Sequence, residues 1–402
     1  MIDAARLPDW AIWETGGGRY TIGIEEELML LDPDGFALAS RGEEVLDSLP
    51  AELRAHASAE THAAVLELAT GAHEEVADAA AELDELRAAL ESALAQLGLR
   101  AAAAGTHPTA SWQSTVVSGH SRYQALHDSL RELARREPTF AMHVHIGVPD
   151  PEQAVELANR LRVHAPLLLG LSANSPFWQG RDTGLASART PVFQAFPRVG
   201  IPRRFADYGD WVETVDLLVG SGAIPDPSFL WWDVRLKPRF GTVEVRVMDA
   251  QTTVGESASL AALIQSLAHR ELARGPHPGE PAGALEALAE NRFLAARDGA
   301  DGRIIDLDTR ELVAIDEVAE SILAGCGRPA AILGCSGELA ATRTLLAENG
   351  AKRQRRLATG REIEDVTEAL ADLFTASGSG SGEERDGGRP AENRTESDLN
   401  LA

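Results

Sequence analysis

The segment Thr21-Ile22-Gly23-Ile24-Glu25-Glu26-Glu27-Leu28 alternates as an extended strand does. With a side-chain period of two, Ile22, Ile24 and Leu28 share one face, and Glu25 and Glu27 share the other. Same-face neighbours stand about 6.5–7 Å apart, so these two carboxylates can address adjacent cations. A solvated charge run would also place glutamates together. Three of them inside an apolar strand, however, repel one another and suit β structure poorly, which points to a functional row.

Three further segments repeat the device. In Phe140-Ala141-Met142-His143-Val144-His145-Ile146-Gly147, the apolar Met142, Val144 and Ile146 face a core, and His143 and His145 face the other way. One histidine there would read as structural; two at i and i+2 suit metal or phosphate contact. Trp231–Pro238 sets Asp233, Arg235 and Lys237 against Trp232, Val234 and Leu236. Gly241–Asp249 sets Thr242, Glu244 and Arg246 against Val243, Val245 and Val247. Either strand alone could be a half-exposed surface strand; together they read as a hairpin whose polar face lines a cleft.

Glu67 lies inside the apolar run Ala64–Thr70, with Glu60 seven residues earlier. A buried carboxylate without a partner is costly, and a cation beside Glu67 removes that cost. The expected architecture is therefore a curved sheet with a polar concave face and helices behind it. Carboxylates dominate the imidazoles, and hard cations prefer oxygen, so Mg²⁺ or Mn²⁺ is favoured over zinc. The turn-rich stretch Leu171–Arg189 carries Asn174, Trp178, Arg181 and Arg189, the inventory of a substrate lid.

Strand patterns fall near 20–31, 57–69, 99–106, 140–148, 229–237 and 242–249. Amphipathic helices are expected near 43–55, 73–97, 120–136, 151–171 and 211–219. Beyond Thr253 the pattern is helical almost throughout, including a helix near 312–325. From Ala376 the chain is Gly-, Ser- and charge-rich with almost no apolar residues, so a catalytic domain at 1–375 and a disordered tail at 376–402 are expected.

Composition excludes several classes. The chain has 402 residues, 44% of them hydrophobic, enough for a sizeable core. A formal net charge of −25 with no basic stripe argues against nucleic acid and anionic membranes as partners. The two lysines, Lys237 and Lys352, follow no glycine-rich loop, so a nucleotide would not be held by a P-loop. No leader pattern and no run of roughly eighteen apolar residues occurs, and a cytoplasmic protein is expected. Cys326 and Cys335 read as reduced residues without a role.

Taken in order, GIEEEL, VLELAT, HVHIG, LSANSPFWQGRDTGLASAR and WDVRLKPRFGTVEVRVMD resemble the bacterial carboxylate-amine ligases of the glutamate-cysteine ligase type 2 family, over about residues 20–375. The resemblance implies an α+β, glutamine-synthetase-like fold whose mainly antiparallel sheet forms a funnel for ATP, metal and an amino acid. It implies that glutamate's γ-carboxylate takes the γ-phosphoryl group of ATP and that an amine such as cysteine's attacks the acyl phosphate. Carried over by motif, Glu25, Glu27, Glu67, His143, His145 and Glu244 would surround Mg²⁺ or Mn²⁺. Arg235 and Arg246 would contact phosphate or carboxylate and, with Glu67, serve catalysis. Asn174 and Arg189 would belong to the substrate-side loop and, with Arg235 and Arg246, to the ATP site.

The physics suits that assignment, because an ionised carboxylate is a poor electrophile until phosphorylated and the charge of ATP must be neutralised first. Two other readings stay open at this point: a metal-dependent hydrolase built on the HxH and glutamate cluster, and a binding or regulatory protein that keeps the cleft without turnover. The motifs leave the amine unidentified and the number of subunits open, a homodimer included.

Overall fold

The computed structural model describes residues 7–15, 18–119, 121–136, 138–275 and 283–374. The tail expected from Ala376 lies outside the described residues. At the centre stands a seven-stranded sheet made of β1 (Ile22–Leu31), β2 (Ala57–Ala59), β3 (Val65–Ala69), β4 (Arg100–Ala102), β5 (Ala141–Gly147), β6 (Val234–Lys237) and β7 (Thr242–Asp249). Its order is β6-β7-β5-β1-β3-β2, with β4 also pairing with β1, and every pairing is antiparallel.

One face of this sheet is the core. Ile22, Ile24 and Leu28 of β1, Met142, Val144 and Ile146 of β5, and Val243, Val245 and Val247 of β7 are all buried. Behind them pack α1 (Val76–Gln96), α3 (Pro151–Ser172) and α5 (Val254–Ala273); α2 (Ser121–Leu130) and the short α4 (Arg189–Phe193) contribute residues to the cavity described below. The two long helices have well-marked starts. Asp150 accepts from Glu152 N and Gln153 N ahead of Pro151, and Thr253 with Glu256 closes a capping box. The β6–β7 turn closes on Gly241 at φ 63°, where a Cβ would stand 1.9 Å from the Glu14 carbonyl oxygen, so only glycine fits.

The expected hairpin of the two basic strands is present as β6 and β7. Three expectations change. The single strand at 57–69 is two, β2 and β3, paired to one another about the Glu60–Ala64 turn. The strand at 229–237 breaks at Asp233, whose carboxylate is turned to Arg292 at 2.6 Å; Trp231–Trp232 instead pairs in parallel with Val199–Gly200. The helix placed at 312–325 starts only at Ile315 and runs to Ile332, because Leu312–Ala314 pairs with Arg303–Ile305. Cys326 and Cys335 are both free and buried. Among the described residues no helix is long and apolar enough to cross a membrane.

Candidate active site

The strand registers gather the polar rows. Ser58 pairs with Glu67, and Glu67 pairs with Glu27; Glu25 pairs with His143; and His145 pairs with Glu244, which pairs with Arg235. Laterally paired residues on one face have adjacent side chains, so residues far apart in the chain become one surface. In front of it lies a cavity of about 380 Å³ lined by Glu25, Glu27, Glu60, Glu67 and His143 on one side and by Arg189, Arg235, Lys237 and Arg246 on the other. The volume suits a small-molecule site. Phe193, Phe196, Phe229, Trp231 and Phe240 add aromatic wall.

The basic side is already organised. Glu244, fully buried, accepts from both Nε and Nη2 of Arg235 and takes Arg246 Nη1 at 2.7 Å. Burial would lift the Glu244 carboxyl, but Arg235, Arg246 and Lys237 hold it well below the usual range. Arg235 spends its remaining donors on the carbonyls of Leu230 (2.7 Å) and Ser228 (3.2 Å). His145 sits between two carboxylates, with Nε2 at 3.1 Å from Glu25 and 3.5 Å from Glu244, and Nδ1 at 2.9 Å from Thr242 Oγ1. Burial would depress this imidazole, yet Glu25 and Glu244 raise it to about 9, so it is a cation near neutrality. Glu25, which burial alone would lift, is held well below the usual range by His145 and by hydrogen bonding with His143.

The acidic side is unbalanced. Burial and repulsion from Glu60 push Glu27 up to about 8. Burial, followed by repulsion from Glu25, Glu60 and Glu27, pushes Glu67 well above the usual range. His143 is driven down to about 3 by burial and by Arg246, and is neutral. Its Nδ1 lies 3.2 Å from Glu25 and 3.3 Å from Arg246 Nη1; in the tautomer that donates to Glu25, Nε2 offers a lone pair, and in the one that accepts from Arg246, Nε2 carries the proton. That Nε2 is buried without a hydrogen-bond partner among the described residues, 3.8 Å from a Glu27 oxygen.

These features test the fit of a divalent cation. Two triads bring one ligand atom each within 4.8 Å of one another: Glu25–His143–Glu244 and Glu27–Glu67–His143. In the first, Glu244 is saturated by guanidinium groups and Glu25 by imidazole. In the second, burial and mutual repulsion keep two carboxyls raised, Glu27 in spite of Arg189 and Arg246, and an imidazole nitrogen lacks a hydrogen-bond partner among the described residues, which is the donor set a cation would satisfy. Oxygen predominates in it, as Mg²⁺ or Mn²⁺ requires.

Of the residues singled out in the sequence, Glu25, Glu27, Glu67, His143, Arg189, Arg235 and Arg246 line the cavity. Glu244 and His145 lie just beneath them as the layer that orients the arginines and Glu25. Asn174 is not brought to the cavity. It is fully buried, donating to the Ala250 carbonyl at 2.8 Å and Thr252 Oγ1 at 3.1 Å and accepting from Gln354 at 2.8 Å, so its polar atoms are spent inside the fold. The stretch around it is a clasp rather than a lid: Ser175 and Ser187 both bond to buried Asp249, at 2.7 and 2.9 Å, and only Arg189 reaches the cavity. Sequence reasoning gave Glu60 no role at the site, since a turn residue has no face. The cue was its position between two short strands whose other end carries Glu67.

A sequence profile described as glutamate-cysteine ligase family 2 matches residues 21–376. A Rubrobacter xylanophilus protein named "Putative glutamate--cysteine ligase 2-1" is 39% identical over 86% of this chain and 92% of its own length. A Sorangium cellulosum protein named "Putative glutamate--cysteine ligase 2" is 37% identical over 90% of this chain and 97% of its own. Among solved structures, the glutamate-cysteine ligase of Francisella tularensis in complex with AMP superposes with a TM-score of 0.65 at 13% identity, covering 91% of this chain and 90% of that one. A bifunctional glutathione synthetase from Pasteurella multocida gives a TM-score of 0.70 at 15% identity; it covers 89% of this chain, which spans only 52% of that longer protein. At these identities the two structures speak for a shared α+β fold.

Proposed function

Because the chain belongs to glutamate-cysteine ligase family 2, we propose that it is an ATP-dependent carboxylate-amine ligase, joining a carboxylate, with glutamate's γ-carboxyl the first to test, to an amine. The observation that carries this reading is one cavity lined both by carboxyls that burial and mutual repulsion push up and by three arginines and a lysine. A triphosphate and a carboxylate substrate are both anions. They can share a pocket only where cations are supplied from two sides.

Glu27, Glu67 and His143 are the residues that would hold Mg²⁺ or Mn²⁺. Bound there, the ion would neutralise phosphate oxygens as their charge shifts to the leaving ADP. Arg246, aimed by Glu244, faces the same space with donors for the transferring phosphoryl group, while Arg235 and Lys237 raise the positive potential beneath it. Arg189, held against the Arg246 and Val247 carbonyls at the same wall, suits a carboxylate or phosphate oxygen. The substrate carboxylate oxygen attacks the γ-phosphorus and ADP leaves. The neutral amine then attacks the acyl carbon, the bond from that carbon to the phosphate oxygen breaks, and the departing phosphate takes up the proton the amine loses, so no protein nucleophile is required. Positioning and charge suffice.

Nothing favours the metal-dependent hydrolase. His143 and His62 are the histidines lining the cavity, His62 is bonded to the Ala134 carbonyl at 2.9 Å, and His145 is a cation, a poor set for activating water on zinc. The test is an assay of ADP release across panels of acids and amines with product mass measured. Release that needs both an acid and an amine supports the ligase. Product formed with no nucleotide present overturns it.

A further inference from the structure

The clasp that replaced the expected lid has a role in the site. Asp249 ends β7 and is completely buried, outside the lining of the cavity. One of its oxygens accepts from Asn174 N at 2.8 Å and Ser175 Oγ at 2.7 Å; the other accepts from Ser187 Oγ at 2.9 Å. Both ends of the 175–187 loop are thereby tied to one carboxylate, and Arg189 follows directly, its own N–H donating to Ser175 Oγ at 3.1 Å.

The Arg189 guanidinium is held from the same strand. β7 shifts register against β5 between Val245 and Met248, and the carbonyls of Arg246 and Val247 at this irregularity accept from Arg189 Nη2 at 3.3 Å and Nη1 at 3.2 Å. Asp249 Oδ1 stands 3.8 Å from Nη1. Arg189 is only 6% exposed, and its Nε has no hydrogen-bond partner among the described residues. A buried guanidinium with an unspent N–H at the wall of a cavity also lined by Arg235, Lys237 and Arg246 has a donor left for a ligand oxygen. Gly105 shows how closely the carboxylate is enclosed, since a Cβ there would lie 2.5 Å from Asp249 Cγ.

We propose that Asp249 is a positioning residue acting through Arg189: it locks the Ser175–Ser187 clasp and supplies the counter-charge that holds the guanidinium at the cavity wall, ready for an oxyanion of the substrates. This rests on the ligase reading only for the identity of those substrates, a carboxylate or a nucleotide phosphate. Asp249→Asn is a mild probe. An amide oxygen can still accept from Asn174 and Ser175 and its NH₂ can donate to Ser187, so the framework survives while the charge is lost.

The experiment measures affinity for L-glutamate and for Mg-ATP by calorimetry on the full chain, with amide product followed in parallel. Asp249→Asn should weaken one of the two probes by about tenfold while the other changes little. The probe affected tells whether Arg189 meets carboxylate or phosphate. Ser187→Ala should weaken the same probe by less, and Arg189→Lys should weaken it by more. Combined with Arg189→Lys, Asp249→Asn should add nothing further, because both act on one contact. Unchanged affinity in Asp249→Asn, independent losses in the double variant, or equal loss of both probes would each overturn the proposal. A wild-type protein that binds the probes but forms no amide overturns the ligase reading and leaves the positioning result standing; one that binds neither probe overturns both.

Discussion

Glu26 and Arg87 form an ion pair at 2.7 Å in which neither side chain is exposed. Although Glu26 stands between two cavity-facing glutamates, it points through the back of the sheet. There it accepts from Ser257 Oγ at 2.5 Å, while Arg87 reaches the carbonyls of Thr252, Gln251 and Phe374 at 2.8, 2.9 and 3.0 Å. One buried pair thus ties β1, α1, the start of α5 and the last described helical residue together. Glu26→Gln leaves Arg87 charged and buried without its counter-ion, which costs about 3–5 kcal/mol. Thermal denaturation should show a melting temperature lower by many degrees, with residual folded protein still binding nucleotide; an unchanged melting temperature would contradict the pair's role.

Glu67→Gln should behave in the opposite way. Burial and repulsion from Glu25, Glu60 and Glu27 raise its carboxyl and disfavour the charged form, so the uncharged amide should cost little stability. Turnover should fall on the order of 100-fold, and the rise in melting temperature that Mg²⁺ gives the wild type should disappear. Melting curves with and without EDTA, set beside ADP release, check both halves.

Stability should depend on pH in a metal-sensitive way. Glu27 is raised from 4.5 to about 8, so its contribution is complete below pH 4.5 and is lost as the pH climbs through about 8, because the unfolded chain releases that proton more readily. His145, raised from 6.5 to about 9, loses its contribution over the window between those values. His143, depressed from 6.5 to about 3, and His62, depressed to about 4, act the other way below pH 6.5, so in EDTA the protein should weaken from about pH 6.5 upward. Mg²⁺ should remove the Glu27 part by replacing the proton, and Glu27→Gln should remove it without metal. Melting temperatures across pH for the two proteins read this directly.

Arg235 and Arg246 are adjacent on paired strands but should separate by phenotype. Arg246→Ala removes donors that face the phosphoryl group and should cost about 10²–10³-fold in kcat with the fold retained. Arg235→Ala strips Glu244 and the Leu230 and Ser228 carbonyls of a buried partner, and should show first as loss of stability. Kinetics and melting curves run on the same two preparations distinguish them.

Cys326 and Cys335 are buried away from the cavity, and burial raises both thiols above their usual range. Replacing each by alanine should leave turnover within about twofold of wild type, since neither takes part in the acyl transfer. Steady-state rates of the two variants test it.

Period-two alternation was enough to name the acidic, imidazole and arginine rows, because which face a strand residue occupies is a local property. The β6–β7 hairpin was legible for the same reason, whereas the α+β fold class came with the family resemblance. Which row stands beside which is a matter of register between strands far apart in the chain, as Glu25 and His143 are, and alternation carries no information about it. Only the pairing of Glu27 with Glu67 and of Glu25 with His143 brought together a triad that could hold a cation, with Glu244 and His145 beside it. Glu60 and Asn174 show the limit most plainly. A turn residue entered the cavity and a lid residue left it, because loops take their positions from the long-range hydrogen bonds that anchor their ends.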